Sequence, residues 1–140
     1  MGTMMRLDGW EASLNSILEA ASLRPYVIGE WDCFKMACDV IAAITGRPNP
    51  WPEWKGRYHD ERSAVDLLHQ RGGFMRAFSD GFGSEPVSPR LAQRGDICAY
   101  RDEERIFHLG VCVGDKVALL SENGLVFVAI AQCKAAWRID

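Results

Sequence analysis

Histidine is scarce in this chain: three residues in 140. A histidine base must therefore be His59, His69 or His108. Long apolar runs are missing too. No stretch approaches the roughly 20 residues of a bilayer-spanning helix, so membrane insertion is not expected. The stretch Met1 to Trp10 has one arginine and no apolar h-region, so no signal peptide is expected and synthesis in a cytoplasm is. Positive charge is not in excess. Sixteen Lys and Arg against nineteen Asp and Glu leave a net charge of -3, which argues against nucleic acid as a partner. No Cys-x-x-Cys occurs, and the spacing of Cys33, Cys38, Cys98, Cys112 and Cys133 matches no zinc site, so neither metal nor cofactor is expected. An odd number of cysteines, most of them in apolar company, fits small buried thiols in a reducing compartment better than a disulfide framework. No internal repeat or low-complexity segment stands out.

What is present is ordinary for a soluble globular protein: 48% hydrophobic and 25% charged residues, enough to bury one core, with residues 1–140 forming a single domain. Apolar residues at helical spacing predict a helix over Trp10 to Ser22, with Asp8 as its cap. A second helix is predicted over Asp32 to Thr45, stopped by Gly46, and a third over Asp60 to Arg71, capped by Asp60. A short fourth runs from Phe74 to Phe82. Arg47 to Tyr58, rich in Pro and Trp, is a loop with aromatic anchors. The pattern then changes. Asp96 to Tyr100, Phe107 to Val113, Val117 to Leu120, Leu125 to Ile130 and Ala136 to Ile139 read as strands, with hairpin turns at Gly114-Asp115 and Asn123-Gly124. Helices first and strands afterwards predict an α+β domain, with the N-terminal helices packed on a C-terminal antiparallel β-meander.

A cysteine nucleophile needs a depressed pKa and an adjacent base. A helix N-terminus favours the thiolate through its free N–H groups and dipole. Cys33 occupies the first turn of the second helix, whereas Cys38 lies mid-helix on the apolar stripe and Cys98 and Cys112 lie on strands. His59 and His69 flank the third helix among polar residues and suit the surface. His108 opens a strand, and only the tertiary fold can join it to Cys33.

The wording around these two residues resembles a known family. Pro25-Tyr26-Val27-Ile28-Gly29-Glu30-Trp31-Asp32-Cys33 is similar to the nucleophile segment of NlpC-type peptidases, which are papain-like cysteine hydrolases. Arg94-Gly95-Asp96-Ile97 resembles that family's Pro-Gly-Asp-Leu, and His108-Leu109-Gly110-Val111-Cys112-Val113-Gly114 its His-Val-Gly-Ile-Tyr-Val-Gly. The three motifs occur in the family's order over about Leu23 to Val128. Glu30-Trp31-Asp32-Cys33, Gly56-Arg57-Tyr58, Gly124-Leu125-Val126-Phe127-Val128 and Trp137 further resemble small members carried by phages, prophages and gene-transfer agents beside their tail genes.

The resemblance implies a papain-like fold and a peptidase acting on the peptide stems of cell-wall peptidoglycan. It implies phage-like tail proteins as partners and incorporation into a virion or tail-like particle. It makes Cys33 the nucleophile and His108 the base, with the Cys33 N–H and the Tyr26 hydroxyl facing the oxyanion. There are departures. Phe34-Lys35 stands where the family has Ser-Gly. The family's third polar residue, expected on the strand after His108, falls near Leu120, Ser121 or Asn123, and Ser121 is the remaining candidate. These departures favour an alternative, a structural tail or assembly protein that keeps the fold without the chemistry. Another amide or ester substrate is the third reading, because the same fold serves amidases and acyltransferases.

Overall fold

The elements lie close to the expected positions in the computed structural model, which describes residues 6–140. Met1 to Met5, the first half of the stretch screened for a signal peptide and the start of the expected domain, lie outside the described residues. Four α-helices come first: α1 (Trp10–Ala21), α2 (Cys33–Thr45), α3 (Glu61–Gln70) and α4 (Phe74–Phe82). Five strands follow: β1 (Ile97–Arg101), β2 (Phe107–Cys112), β3 (Lys116–Ser121), β4 (Gly124–Ala129) and β5 (Cys133–Trp137). The chain is thus α+β, with an antiparallel C-terminal sheet.

Aspartates cap two of the helix starts, Asp60 as expected. Asp32 accepts a hydrogen bond from the Lys35 N–H, and Asp60 forms a reciprocal capping box with Ser63. Gly46 ends α2 in the left-handed conformation. The Asp8 cap does not form. Gly9 occupies the N-cap of α1 in left-handed backbone, and no side chain accepts from the first turn. The last strand also differs, running over Cys133–Trp137 rather than from Ala136 to Ile139. The Ile139 N–H is drawn to the Asp96 carboxylate, 2.9 Å away, instead of a neighbouring strand.

A pure meander would place β5 beside β4. The observed order is β4-β3-β2-β1-β5, so β5 turns back and covers the other edge of β1. The sheet consequently has two apolar faces. Leu109, Val111, Ile97 and Trp137 belong to the core that contains α2, whose Met36, Val40, Ile41 and Ile44 are fully enclosed. Cys98, Cys112, Cys133, Val117 and Leu119 form the opposite face, covered by Val87, Ala92 and Ile130. Burying each large aliphatic side chain stabilises the fold by about 1.5–3 kcal/mol. Gly110 is needed between β2 and β3, because a Cβ there would stand 2.5 Å from both Val117 and Leu119.

One end of the sheet is tied by a buried ion pair. Arg6 reaches Asp96 at 2.9 Å and also donates to the carbonyls of Arg94 and Ile139. Asp96 accepts from the Gln93 N–H as well, which fixes the turn before β1. Helix α3 is different: none of its residues is fully buried. No helix among the described residues is long and apolar enough to cross a membrane.

Candidate active site

The segment before α2 is folded back on itself. Val27 and Trp31 exchange backbone hydrogen bonds at 3.0 and 2.9 Å across a tight turn. Gly29 sits in that turn at φ +88°, and a Cβ there would stand 2.6 Å from the Tyr58 carbonyl. Only glycine allows the Tyr58 loop to approach this closely. The Trp31 indole donates to the Ala21 carbonyl at the end of α1, which anchors the turn.

Asp32 is 4% exposed, and its carboxylate is saturated with donors. Oδ1 accepts from the Lys35 N–H, and Oδ2 accepts from the Gly29 N–H at 2.8 Å and the Tyr58 hydroxyl at 2.6 Å. The Lys35 ammonium pairs with Asp39 instead. Asp32 and its neighbours hold Cys33 at the first position of α2.

The sheet is open where Cys33 meets it. Pairing of β1 with β2 continues to Arg101↔Phe107, but pairing of β2 with β3 stops at Gly110↔Leu119. Beyond that point β3 stays with β4, as far as Ser121↔Gly124. Phe107, His108 and Leu109 are left without a β3 partner. The Leu109 N–H, freed by this parting, bears on the Cys33 sulfur.

Cys33, His108, Tyr26, Ser121 and Asp102 all border one cleft of about 650 Å³. His59 and His69 are exposed and do not line it. The His108 Nε2 lies 2.8 Å from Asp102 Oδ2, which leaves Nδ1 as the remaining ring nitrogen. Asp102 is itself held. Its Oδ1 accepts from the Ile106 N–H at 2.9 Å, and its own N–H donates to the Ile106 carbonyl. The bond to His108, and then that to Ile106, hold the Asp102 carboxyl below its usual range.

Two expectations are corrected here. Ser121 borders the cleft, but its hydroxyl donates to the Gly124 carbonyl and accepts from the Asn123 N–H. It is committed to the β3–β4 turn, and the partner of His108 is Asp102. The signal for Asp102 lay in the hairpin. An aspartate that closes a short turn back onto Ile106 comes alongside the start of the returning strand, where His108 stands. The second correction concerns the thiol. Burial, and next the Asp32 carboxylate, push Cys33 up to about 12. The N–H groups of Leu109, Cys33 and Phe34 act the other way without prevailing, so the resting group is a neutral thiol.

The unusual residues after Cys33 have structural placements. The Phe34 ring packs edge-on against Trp54 at 4.8 Å and lies 5.1 Å from Phe78. Trp51 and Trp54 are buried in the same aromatic cluster. Burial raises the Tyr26 phenol. Arg94 lies away from the cleft, bonded to Val113 and Asn15, and Arg57 does not line it either. Among the described residues no three His, Cys, Asp or Glu side chains converge to hold a metal.

A family model described as a domain of unknown function, DUF6950, matches residues 5–139. No curated protein and no solved structure matches the chain.

Proposed function

The chain belongs to the DUF6950 family, and we propose that it is a cysteine hydrolase of amide bonds with a papain-like, NlpC-type arrangement. One observation carries the proposal: a cysteine at the first position of a helix and a histidine whose Nε2 is held by a carboxylate border one cleft, where β2 and β3 part. Asp102 fixes the proton on Nε2, and Nδ1 serves as the base. His108 takes the Cys33 proton as the sulfur attacks the substrate carbonyl. The thiol, raised by burial, gives up its proton only as the bond to the carbonyl forms. The Cys33 N–H and the Tyr26 hydroxyl face the developing oxyanion. The amine leaves with the proton, and water cleaves the thioester to give the acid and restore the thiol.

The proposed substrate is the peptide stem of peptidoglycan, and the proposed setting is a phage-like tail particle built with tail proteins. The three ordered motifs support this part, together with a cleft large enough for a peptide segment. Phe34-Lys35 in place of the NlpC-type Ser-Gly favours a second reading, a tail or assembly protein that retains the fold without turnover.

Iodoacetamide labelling, followed residue by residue by peptide mass spectrometry across pH, separates the two. The hydrolase reading expects Cys33 to label fastest of the five cysteines and His108→Ala to slow it at least tenfold. Hydrolysis of peptidoglycan fragments should be lost in Cys33→Ala. Labelling of Cys33 no faster than that of the other four, or indifferent to His108, sinks the hydrolase reading.

A further inference from the structure

His108 and Asp102 sit at the end of a hairpin that runs past the rest of the sheet. Pairing of β1 with β5 ends at Tyr100↔Cys133, and pairing of β2 with β3 ends at Gly110↔Leu119. Beyond those points β1 and β2 pair only with each other among the described residues, out to Arg101↔Phe107. Asp102 and His108 both belong to this hairpin end, whereas Cys33 belongs to α2. The Asp102–His108 bond therefore orients the imidazole within the hairpin but does not bring it to the thiol. A contact between the hairpin end and the helices has to do that.

Phe107 makes such a contact. It precedes His108 on β2, so its side chain leaves the opposite face of the strand. Its ring stacks on Phe74 with centroids 4.4 Å apart and planes 18° apart, and among the described rings Phe74 is its stacking partner. Phe74 is the first residue of α4 and is wedged edge-on against Phe78, again at 4.4 Å. Phe78 is buried, and the buried Trp137 lies 6.4 Å from Phe74. The stack thus links the hairpin end to the core. Phe107 and Phe74 are themselves only half-buried, on the wall of the cleft. The same stretch of β2 ends in Leu109, whose N–H bears on the Cys33 sulfur.

We infer that Phe107 is a positioning residue: its stack on Phe74 seats the hairpin end against the helices, so that His108 and the Leu109 N–H stand beside Cys33. The inference rests on the hydrolase reading for the role of His108, and the seating of the hairpin does not depend on it. Removing the Phe107 ring frees the hairpin end as a unit. The bonds from Asp102 to His108 and to Ile106 lie inside that unit and persist.

The test compares the full chain with Phe107→Ala and Phe107→Tyr, which keeps the stack. Deuterium exchange of the Leu109 N–H, followed by nuclear magnetic resonance, should be about tenfold faster in Phe107→Ala, while exchange of the Ile106 N–H stays within about twofold. The slowing of Cys33 alkylation by His108→Ala, about tenfold in the unaltered chain, should shrink to under about twofold in the Phe107→Ala background. Phe107→Tyr should restore both. Phe107→Leu, which keeps apolar bulk without the stack, should show the same two changes and serves if Phe107→Ala unfolds. Unchanged Leu109 exchange overturns the inference, as does an undiminished His108 effect. Faster exchange of Leu109 and Ile106 together also overturns it, because the ring would then hold the hairpin together rather than seat it. If His108→Ala leaves alkylation unchanged in the unaltered chain, the hydrolase reading fails, and Leu109 exchange alone decides whether Phe107 seats the hairpin.

Discussion

The two buried aspartates of this molecule do opposite things. Asp96 is fully enclosed, yet it faces Arg6 at 2.9 Å, with Arg138 at 3.5 Å and the N–H groups of Gln93 and Ile139 around it. Asp32 is 4% exposed and has no cationic side chain against it, only a tyrosine hydroxyl and two N–H groups at a helix start. At the Asp96 end, charge is neutralised and Arg6 and Ile139 are tied to the sheet. At the Asp32 end, a negative charge is left beside Cys33, where β2 and β3 part. One end of the sheet is closed for stability and the other is open, with the Asp32 carboxylate beside Cys33.

Breaking the closed end should have the larger effect on folding. Asp96→Ala leaves Arg6 buried without its partner, and chemical denaturation should show a loss of about 3–5 kcal/mol. A loss below about 1 kcal/mol would mean that the tie does little. At the open end, Tyr58→Phe removes one hydrogen bond to the Asp32 carboxylate and should cost about 2 kcal/mol in the same assay. Asp32→Asn should cost as much, about 2 kcal/mol, because the amide keeps the Lys35 cap only by turning its NH2 toward the Gly29 N–H.

Asp32→Asn sharpens the comparison in a second way. The carboxylate raises the Cys33 thiol, so removing its charge must lower it. The rate of Cys33 alkylation against pH should therefore shift to lower pH in Asp32→Asn, with faster labelling at pH 8. A curve shifted the other way would show that Asp32 acts on Cys33 through something other than its charge. In the unaltered chain, labelling should keep rising above pH 9, because a thiol raised to about 12 is scarcely ionised below that.

The order of elements was legible because its signals are local. Asp32 before an apolar helical stripe, Asp60 three residues before Ser63, and Gly114-Asp115 between β2 and β3 each specify a start or a turn within a few residues, whereas the expected Asn123-Gly124 turn falls on Glu122-Asn123 because Gly124 already pairs with Ser121. The placing of Cys33 at a helix start follows from the same patterns, as does the burial of Trp51 and Trp54. The return of β5 to β1 was not legible, because a strand's choice of edge depends on which apolar face remains uncovered.

The sequence by itself therefore determined the helices, most of the strands, the Asp60 cap and the candidate residues of the site. The tertiary structure decided the rest: that β2 and β3 separate at Leu109, that Asp102 rather than Ser121 holds His108, and that the thiol at the helix start is raised rather than lowered. Caps and turns are set by neighbours along the chain. Desolvation and the pairing of charges depend on what the fold packs around a group, and no stretch of sequence around Cys33 encodes that alone.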